Sequence, residues 1–260
     1  EEQLKSIVHQ SIKPDEIIVC DDGSTDNTVS IASKILSEAG IDHRIEINEM
    51  NVGVTKNFER GIELATGDII FLSDQDDIWN YEKIKTIKQE FEKDKSCIMV
   101  FTDAELVDKK RKKLGIKLWE TLHFSKQMLD NCNFMDILLN RCIVTGATMA
   151  FRKELFDKIK PFPEYWLHDG WIAINAPLHG RVKAIEIPLI EYRQHGKNVI
   201  GASKSTLVGG IRKYFYNIRN IEIIREQRYN RYKVFYDFNA GILEKNIKDK
   251  VVNCLEFWHE

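Results

Sequence analysis

The sequence predicts an α/β fold in which a mostly parallel sheet is flanked by helices. Three observations carry that reading. Short apolar runs of strand length alternate with longer segments whose apolar residues recur at helical spacing. The order strand, helix, strand, helix, strand is kept over residues 16–72, a rhythm that lays strands side by side and covers them with helices. Acidic or amide residues follow within two positions of three of the runs, and ligands of such sheets bind outside the carboxyl ends of the strands.

Residues 1–10 read as a helix with Leu4, Ile7 and Val8 on its buried face. A strand at 16–20 empties into Asp21-Asp22-Gly23-Ser24-Thr25-Asp26. There Gly23 permits a tight turn, and Ser24, Thr25 or Asp26 can cap the next helix. That helix carries Ile31, Ala32, Ile35, Leu36 and Ala39. The grammar repeats with a strand at 44–47, a loop at 48–53, and a helix bearing Val54, Phe58, Ile62 and Ala65 on one face. The run 69–72 is apolar throughout, as for a strand buried on both faces. Beyond it the pattern predicts a helix at 81–91, a strand at 97–101 ending near Asp103, and an exposed turn over Asp108-Lys-Lys-Arg-Lys-Lys113. Irregular helix over 121–141, a strand at 146–151, and two strands at 182–187 and 189–192 around Pro188 follow. From about residue 205 the pattern is helical to the end.

Residues 68–79, Asp-Ile-Ile-Phe-Leu-Ser-Asp-Gln-Asp-Asp-Ile-Trp, hold the most informative chemistry. The strand ends in Asp74, Asp76 and Asp77, carboxylates that repel one another unless a cation stands among them. Acids two residues apart in a loop suit a hard ion that keeps positions open for phosphate oxygens. The spacing marks a candidate Mg²⁺ or Mn²⁺ diphosphate site; a solvated acidic loop is the other reading. Asp21, Asp22, Asn51 and Gly53 fall on the same edge. Capping accounts for Asp26 and for at most one of Asp21 and Asp22.

The run Asp21-Asp-Gly-Ser-Thr-Asp-Asn-Thr28, the stretch from Asn51-Val-Gly53 through Asn57 and Gly61 to Ala65-Thr-Gly67-Asp68, and Asp74-Gln-Asp76-Asp77 resemble family 2 glycosyltransferases of the GT-A fold. His168-Asp169-Gly-Trp171 and Tyr192-Arg-Gln-His195-Gly-Lys-Asn198-Val-Ile-Gly201 are similar to its bacterial rhamnosyltransferase-like members. The likeness runs in order over residues 1–201 and implies a GT-A domain at 1–203 with a helical extension at 204–260. Such proteins usually open with a strand carrying a Pro-Thr-Tyr-Asn-like end, before a helix resembling residues 1–10. The sequence is therefore expected to begin inside that helix, without the central first strand and its share of the nucleotide pocket.

The resemblance implies an enzyme that moves a sugar from a nucleotide-diphosphate donor to a hydroxyl. The acceptor would be a saccharide or lipid-linked saccharide in bacterial surface polysaccharide synthesis. A divalent ion neutralises charge developing on a departing diphosphate. Asp76 is its first expected ligand, with Asp74 on the ion or the ribose and His195 on the ion or the diphosphate. Asp77 is a ligand or hydrogen-bonds one. Asp21, Asp22, Asn51 and Asn57 are expected at the donor, with Arg193 and Lys197 as phosphate neutralisers or plain surface charges. Asp169 matches the place of the base that takes the acceptor's proton, and direct displacement by that route inverts the anomeric centre. The other reading of Asp169 is a helix N-cap. Trp171 and Trp79 either stack on a sugar or pack in the core. A non-catalytic nucleotide-sugar- or carbohydrate-binding module is the alternative, against which the retention of Asp74, Asp76 and Asp169 argues.

Composition narrows the classes. At 260 residues the chain accommodates one large domain and an appendage. A formal net charge of −2 names no partner by bulk field, and no nucleic acid is expected. Five cysteines, at 20, 97, 132, 142 and 254, show neither metal spacing nor a small-domain disulfide pattern. They imply a reducing cytoplasm, with Cys20 and Cys97 as buried thiols. A haloacid-dehalogenase-type phosphatase needs acids at i and i+2 after its first strand, whereas Cys20 stands two places before Asp22. A dinucleotide-binding oxidoreductase needs Gly-x-Gly-x-x-Gly between strand and helix, and the sequence has no such loop. Residues 204–236 set eight Lys and Arg against Glu222 and Glu226, interleaved with Tyr214, Phe215, Tyr216, Tyr229, Tyr232, Phe235 and Tyr236. Such helices suit the anionic inner face of a plasma membrane, or an ordinary helical cap with its aromatics turned inward.

Overall fold

The structure, a computed structural model, describes residues 1–131, 134–194 and 221–259. His195, Lys197, Cys132 and the 204–220 part of the basic, aromatic segment lie outside the described residues.

Helix α1 (Glu2–Val8) buries Leu4, Ile7 and Val8, the face its spacing predicts. Strand β1 (Glu16–Asp21), helix α2 (Thr28–Ala39) and strand β2 (Asp42–Ile47) follow. The two strands pair in parallel, Glu16 opposite Asp42 and Asp21 opposite Ile47, and the helix supplies the crossover that parallel pairing needs. Asp26 accepts the Thr28 N–H at 2.9 Å just ahead of the helix, whose N-cap is Asn27 without a side-chain cap bond, so the expected capping by Ser24, Thr25 or Asp26 is corrected. Helix α2 turns Ala32, Ile35 and Leu36 inward, leaves Ile31 exposed, and stops at Gly40 in the left-handed region. Helix α3 (Val54–Leu64) packs on β1 with Ile62 buried.

The chain continues through β3 (Ile69–Phe71), β4 (Ile78–Trp79), α4 (Lys83–Lys93), β5 (Cys97–Val107) and β6 (Lys113–Lys117). Short helices α5 (Leu118–Thr121), α6 (Gln127–Asn131) and α7 (Phe134–Asn140) lead to a 3₁₀ turn at Gly146–Thr148. Strand β7 (Met149–Arg152), helices α8 (Lys153–Ile159) and α9 (His168–His179), and strand β8 (Arg181–Arg193) complete this part. A second sheet runs β3-β7-β5-β8-β4, with β6 added on β5. Within it β5 and β8 are parallel, while the other pairs are antiparallel. The α/β fold is as expected, but the sheet is mixed rather than mostly parallel. Alternation implies direction only where each crossover returns to a neighbouring strand. Here β3 pairs with the distant β7, and β5 runs on past Phe101 to Val107 before turning back. Asp108 makes that turn, its Oδ1 accepting the N–H groups of Lys110 at 2.8 Å and Lys112 at 2.9 Å. The two strands expected around Pro188 are one. Pro188 faces Asp103 at a register shift, where the ladder tolerates a residue without an N–H.

Glu16 ties β1 to the entry of β3, its Oε1 accepting the Thr66 N–H at 2.5 Å and the Gly67 N–H at 2.8 Å. Strand β5 is buried along nearly its whole length, and Val100 packs with Ile87, Phe91, Ala150 and Leu189. Trp171 is 0% exposed and donates its indole N–H to Ile159 O at 2.8 Å. It belongs to the core, so the sugar-stacking reading of this residue is corrected. Trp79 is likewise buried.

Residues Glu1–Phe162 and Leu167–Gly201 make one compact unit, and Pro163–Trp166 with Ala202–Glu260 make the other. In the second, α10 (Ile221–Asn239) and α11 (Lys245–His259) pack together. Phe235 and Val251 are buried, and the Arg228 guanidinium lies 4.8 Å from the centre of the Trp258 ring. Trp166 donates to Arg231 O at 3.1 Å. Among the described residues no helix is long and apolar enough to cross a membrane.

Trp171 fills space between α8 and the sheet with a large apolar ring and one satisfied donor. Trp171→Ala should cost roughly 3–5 kcal/mol of stability, the range for truncating a buried aromatic. Urea unfolding checks this; a loss within measurement error would place the ring outside the core.

Candidate active site

Strand β3 releases the chain into the acidic loop, and β4 recaptures it against β8. Asp77 is 1% exposed. Its Oδ1 accepts the backbone N–H of Arg193 at 3.0 Å, whereas its Oδ2 is buried without a partner among the described residues. Burial pushes the Asp77 carboxyl up to about 7, and the Asp76 and Asp74 charges add to the push. Burial likewise raises Asp74 to about 6, followed by the charges of Asp169 and Asp76. The loop is braced by Arg193, which donates to Asp76 O at 3.0 Å, to Lys109 O at 3.3 Å and to Glu2 at 2.8 Å. Helix α1 adds a bond from Gln3 to Ser73 Oγ at 2.6 Å.

Asp169 lies one residue inside α9, whose N-cap is Leu167. Its Oδ2 accepts the Gly146 N–H at 3.1 Å and its Oδ1 the Gly170 N–H at 2.7 Å. The side chain is thus not the N-cap; it reaches across to the 3₁₀ turn. Neighbouring His168 is buried and stacked on Phe58, with ring centres 3.9 Å apart. Neither ring nitrogen has a partner among the described residues, and burial holds the ring's pKa below its ordinary value. A Cβ on Gly146 would stand 2.9 Å from His168 Nε2, so this close approach requires glycine.

Two further groups face the cluster. Lys83 is fully buried beneath it, its Nζ 3.9 Å from the centre of the Trp79 ring and 2.6 Å from Ala147 O. Burial pulls this amine down to about 7, against the opposing charges of Asp77 and Asp74. The Tyr192 phenol is pushed above its ordinary range by burial first, then by the charges of Asp77, Asp74, Asp76 and Asp169. Four carboxylates, an amine and a phenol therefore act on one small volume.

Asp21 and Asp22 build a second network. Asp21 Oδ2 accepts from Gly23 N at 3.2 Å and Ser24 N at 2.8 Å, which folds the turn after β1. Asp22 accepts from Val52 N at 2.8 Å, Gly53 N at 3.0 Å and Asn48 Nδ2 at 2.8 Å. These bonds, Val52 first, hold its pKa below the usual carboxylate value. Asn51 donates to Asp22 O at 3.2 Å, and Asn57 binds Asn48 at 2.8 Å and Cys20 O at 3.0 Å. Residues expected to touch the donor are thus also those that shape the loop. Helix α3 joins the two networks, carrying Asn57 in one and Phe58 against His168 in the other.

Among the described residues no three His, Cys, Asp or Glu side chains form a group able to hold a metal ion. Asp74 and Asp76 nevertheless fit one in kind. Mg²⁺ and similar hard ions bind through one or two carboxylates, with substrate phosphates and water filling the remaining positions. Burial raises Asp74 first, and the Asp169 and Asp76 charges that add to it are what a bound cation relieves.

Sequence reasoning brought Asp74, Asp76, Asp77 and Asp169 forward but passed over Lys83 and Gly146. A signal for Lys83 existed: it stands in phase with Ile87 and Phe91 on the buried stripe of α4. Gly146 had none, because its role depends on a contact with α9 that no local pattern records.

Residues 1–160 match the family described as Glycosyl transferase family 2, and the chain belongs to that family. It is 28% identical over 204 residues to an uncharacterized glycosyltransferase of Nostoc, covering 75% of this chain and 60% of that protein. It is 29% identical over 221 residues to the dTDP-rhamnosyl transferase RfbG of Shigella flexneri, covering 79% and 71%. Among solved structures it is similar to S. aureus TarS 1-349 in complex with UDP-GlcNAc, with a TM-score of 0.68 and 18% identity over 99% of this chain and 68% of that one. It is also similar to the mannosyltransferase PcManGT from Pyrobaculum calidifontis in complex with GDP-Man and Mn²⁺, with a TM-score of 0.56 and 17% identity over 99% and 65%. At such identities the likeness shows the GT-A fold alone.

The raised carboxyls set a pH dependence. Asp74 and Asp77 hold protons more tightly when folded than an ordinary aspartate does. Their contribution to stability is therefore whole below about pH 4 and is lost as pH rises through about 6 to 7. Asp77→Asn, with the same shape and no charge, should flatten that fall in thermal melts. A slope identical to the wild type would remove Asp77 as its source.

Proposed function

We propose that this chain is the donor-binding and catalytic part of an inverting, metal-assisted glycosyltransferase. It would move a hexosyl or rhamnosyl unit from a nucleoside-diphosphate sugar to a hydroxyl of a saccharide or lipid-linked saccharide. The observation that carries this reading is the convergence of Asp74, Asp76 and Asp169, with Asp169 the largest charge acting on Asp74. A family 2 chain with a dTDP-rhamnosyl transferase and a chondroitin synthase among its relatives supports polysaccharide synthesis as the setting. We place the reaction in the cytoplasm, at the inner face of the plasma membrane where the acceptor is lipid-linked.

Asp76 and Asp74 would hold Mg²⁺ or Mn²⁺, which supplies neutralising charge to the diphosphate as it departs. Asp169 takes the proton from the acceptor hydroxyl as the new bond forms. The two N–H groups on its oxygens, from Gly146 and Gly170, fix the direction of the carboxylate. A base that works on the face of the sugar opposite the leaving diphosphate inverts the anomeric centre. Asp21 and the Asp22-braced loop at 51–53 form the wall for the nucleoside, with Asn51 and Asn57 holding its shape. Arg193 serves as the brace of the acidic loop rather than as a free phosphate contact. His195 and Lys197 remain proposed contacts to the ion or the diphosphate.

A base acts on the acceptor and contributes little to donor affinity. Asp169→Asn should keep near-normal nucleotide-sugar binding while transfer falls by roughly 10²–10⁴-fold. Asp76→Asn should instead weaken nucleotide binding in the presence of Mn²⁺, and chelation should abolish wild-type transfer until Mn²⁺ or Mg²⁺ is returned. Calorimetry and a transfer assay over a panel of nucleotide-sugars measure all of these. Wild-type transfer by both variants would overturn the proposal, and a chain that binds every donor but turns over none is the non-catalytic module.

A further inference from the structure

Lys83 is the one fully buried lysine or arginine among the described residues. It lies in the first turn of α4, in line with Ile87 and Phe91, a position that an apolar side chain of the same length would fill. Burying an ammonium is costly, and an apolar replacement of similar volume often leaves a protein equally or more stable. Packing alone therefore does not account for a lysine here. Its bonding does. Nζ donates to Ala147 O at 2.6 Å, a charge-assisted bond in a site shielded from water. Ala147 is the middle residue of the Gly146–Thr148 turn. The neighbouring amide, Gly146 N–H, is the group that holds Asp169 Oδ2 at 3.1 Å. The chain of contacts runs from Lys83 through one three-residue turn to the carboxylate of Asp169.

The charge of the same amine is also felt by Asp77 and Asp74 of the acidic loop. The Trp79 ring, at the end of that loop, covers it at 3.9 Å. Lys83 is thus bonded to the turn that holds Asp169 and stacked on the ring that ends the acidic loop.

We infer that Lys83 is a positioning residue for transfer: it ties down the Gly146–Thr148 turn and so aims the Asp169 carboxylate at the acceptor hydroxyl. The inference rests on Asp169 being the base. Misplacing a catalytic group by about 1 Å can cost on the order of a hundredfold in rate. Removal of the tie should therefore lower turnover, and do so only while Asp169 is there to be aimed.

A double-mutant cycle with Lys83→Met and Asp169→Asn tests this, read by kcat, donor affinity and thermal stability. Lys83→Met should melt at or above the wild-type temperature and bind nucleotide-sugar no more weakly. Its kcat should fall by about tenfold to a hundredfold. In the Asp169→Asn background the same change should cost nothing further, because residues acting as a unit are not additive. Unchanged kcat in Lys83→Met, or losses that simply add, would overturn the inference while leaving Asp169 as base. Full activity of Asp169→Asn alone would instead overturn the base assignment and this inference together. Should Lys83→Met fail to fold, Gly146→Ala displaces the same turn from its other side, through a Cβ 2.9 Å from His168 Nε2. It must then show the same loss of kcat and the same lack of additivity, and wild-type turnover there overturns the inference.

Discussion

Carboxylates crowded at the end of a buried strand repel one another, and much of the surrounding structure is explained by what it takes to keep them there. Asp77 is almost wholly out of water, with one oxygen lacking a partner among the described residues, and Asp74 feels both Asp169 and Asp76. Such a loop would open to solvent if nothing restrained it. Arg193 holds its backbone from one side through Asp76 O and the Asp77 carboxylate holds the Arg193 amide in return. Lys83 sets its amine against the Trp79 ring at the end of the loop, and α1 pins Ser73 through Gln3. The restraint keeps negative charge concentrated where the strands end. That is the arrangement a divalent ion would neutralise, while keeping positions open for the oxygens of a diphosphate.

The same economy of polar groups shapes the loops around Asp21 and Asp22. Asp22 receives the backbone N–H groups of Val52 and Gly53 and the Asn48 amide, so a single carboxylate organises the loop between β2 and α3. Charge-assisted bonds of this kind are stronger than neutral ones, and they leave the loop preformed rather than dependent on a ligand to order it. Helix α3 then carries that order across to Asp169 through the stack of Phe58 on His168. A buried imidazole whose two nitrogens have no partner among the described residues is an uncommon choice for such a contact. The ring lies against Gly146, the residue whose amide holds Asp169.

How much of this was legible depends on whether the cause is local. The helices α1 to α4 and strands β1 to β3 were readable because period and turn chemistry lie within a few residues of each element. The acidic loop was readable because repulsion between neighbours in sequence needs no tertiary information. Two-residue β4 and the exposed β6 carry too little pattern to be seen. The mixed sheet direction depends on β3 meeting β7, a pairing far apart in sequence. Trp171 could be read two ways until Ile159 O was found to take its N–H. Lys83 broke the apolar stripe of α4, yet its partner Ala147 lies on a turn that the pattern assigned to a strand.

The central claim is that Asp76 and Asp74 receive the diphosphate through a divalent ion. Anomalous scattering from crystals grown with Mn²⁺ and a nucleoside diphosphate tests it most directly. The account predicts an Mn²⁺ peak bridging Asp76 and the phosphate oxygens, lost in Asp76→Asn crystals grown the same way. A nucleotide seated without metal at Asp76, or a metal peak away from the acidic loop, would contradict it.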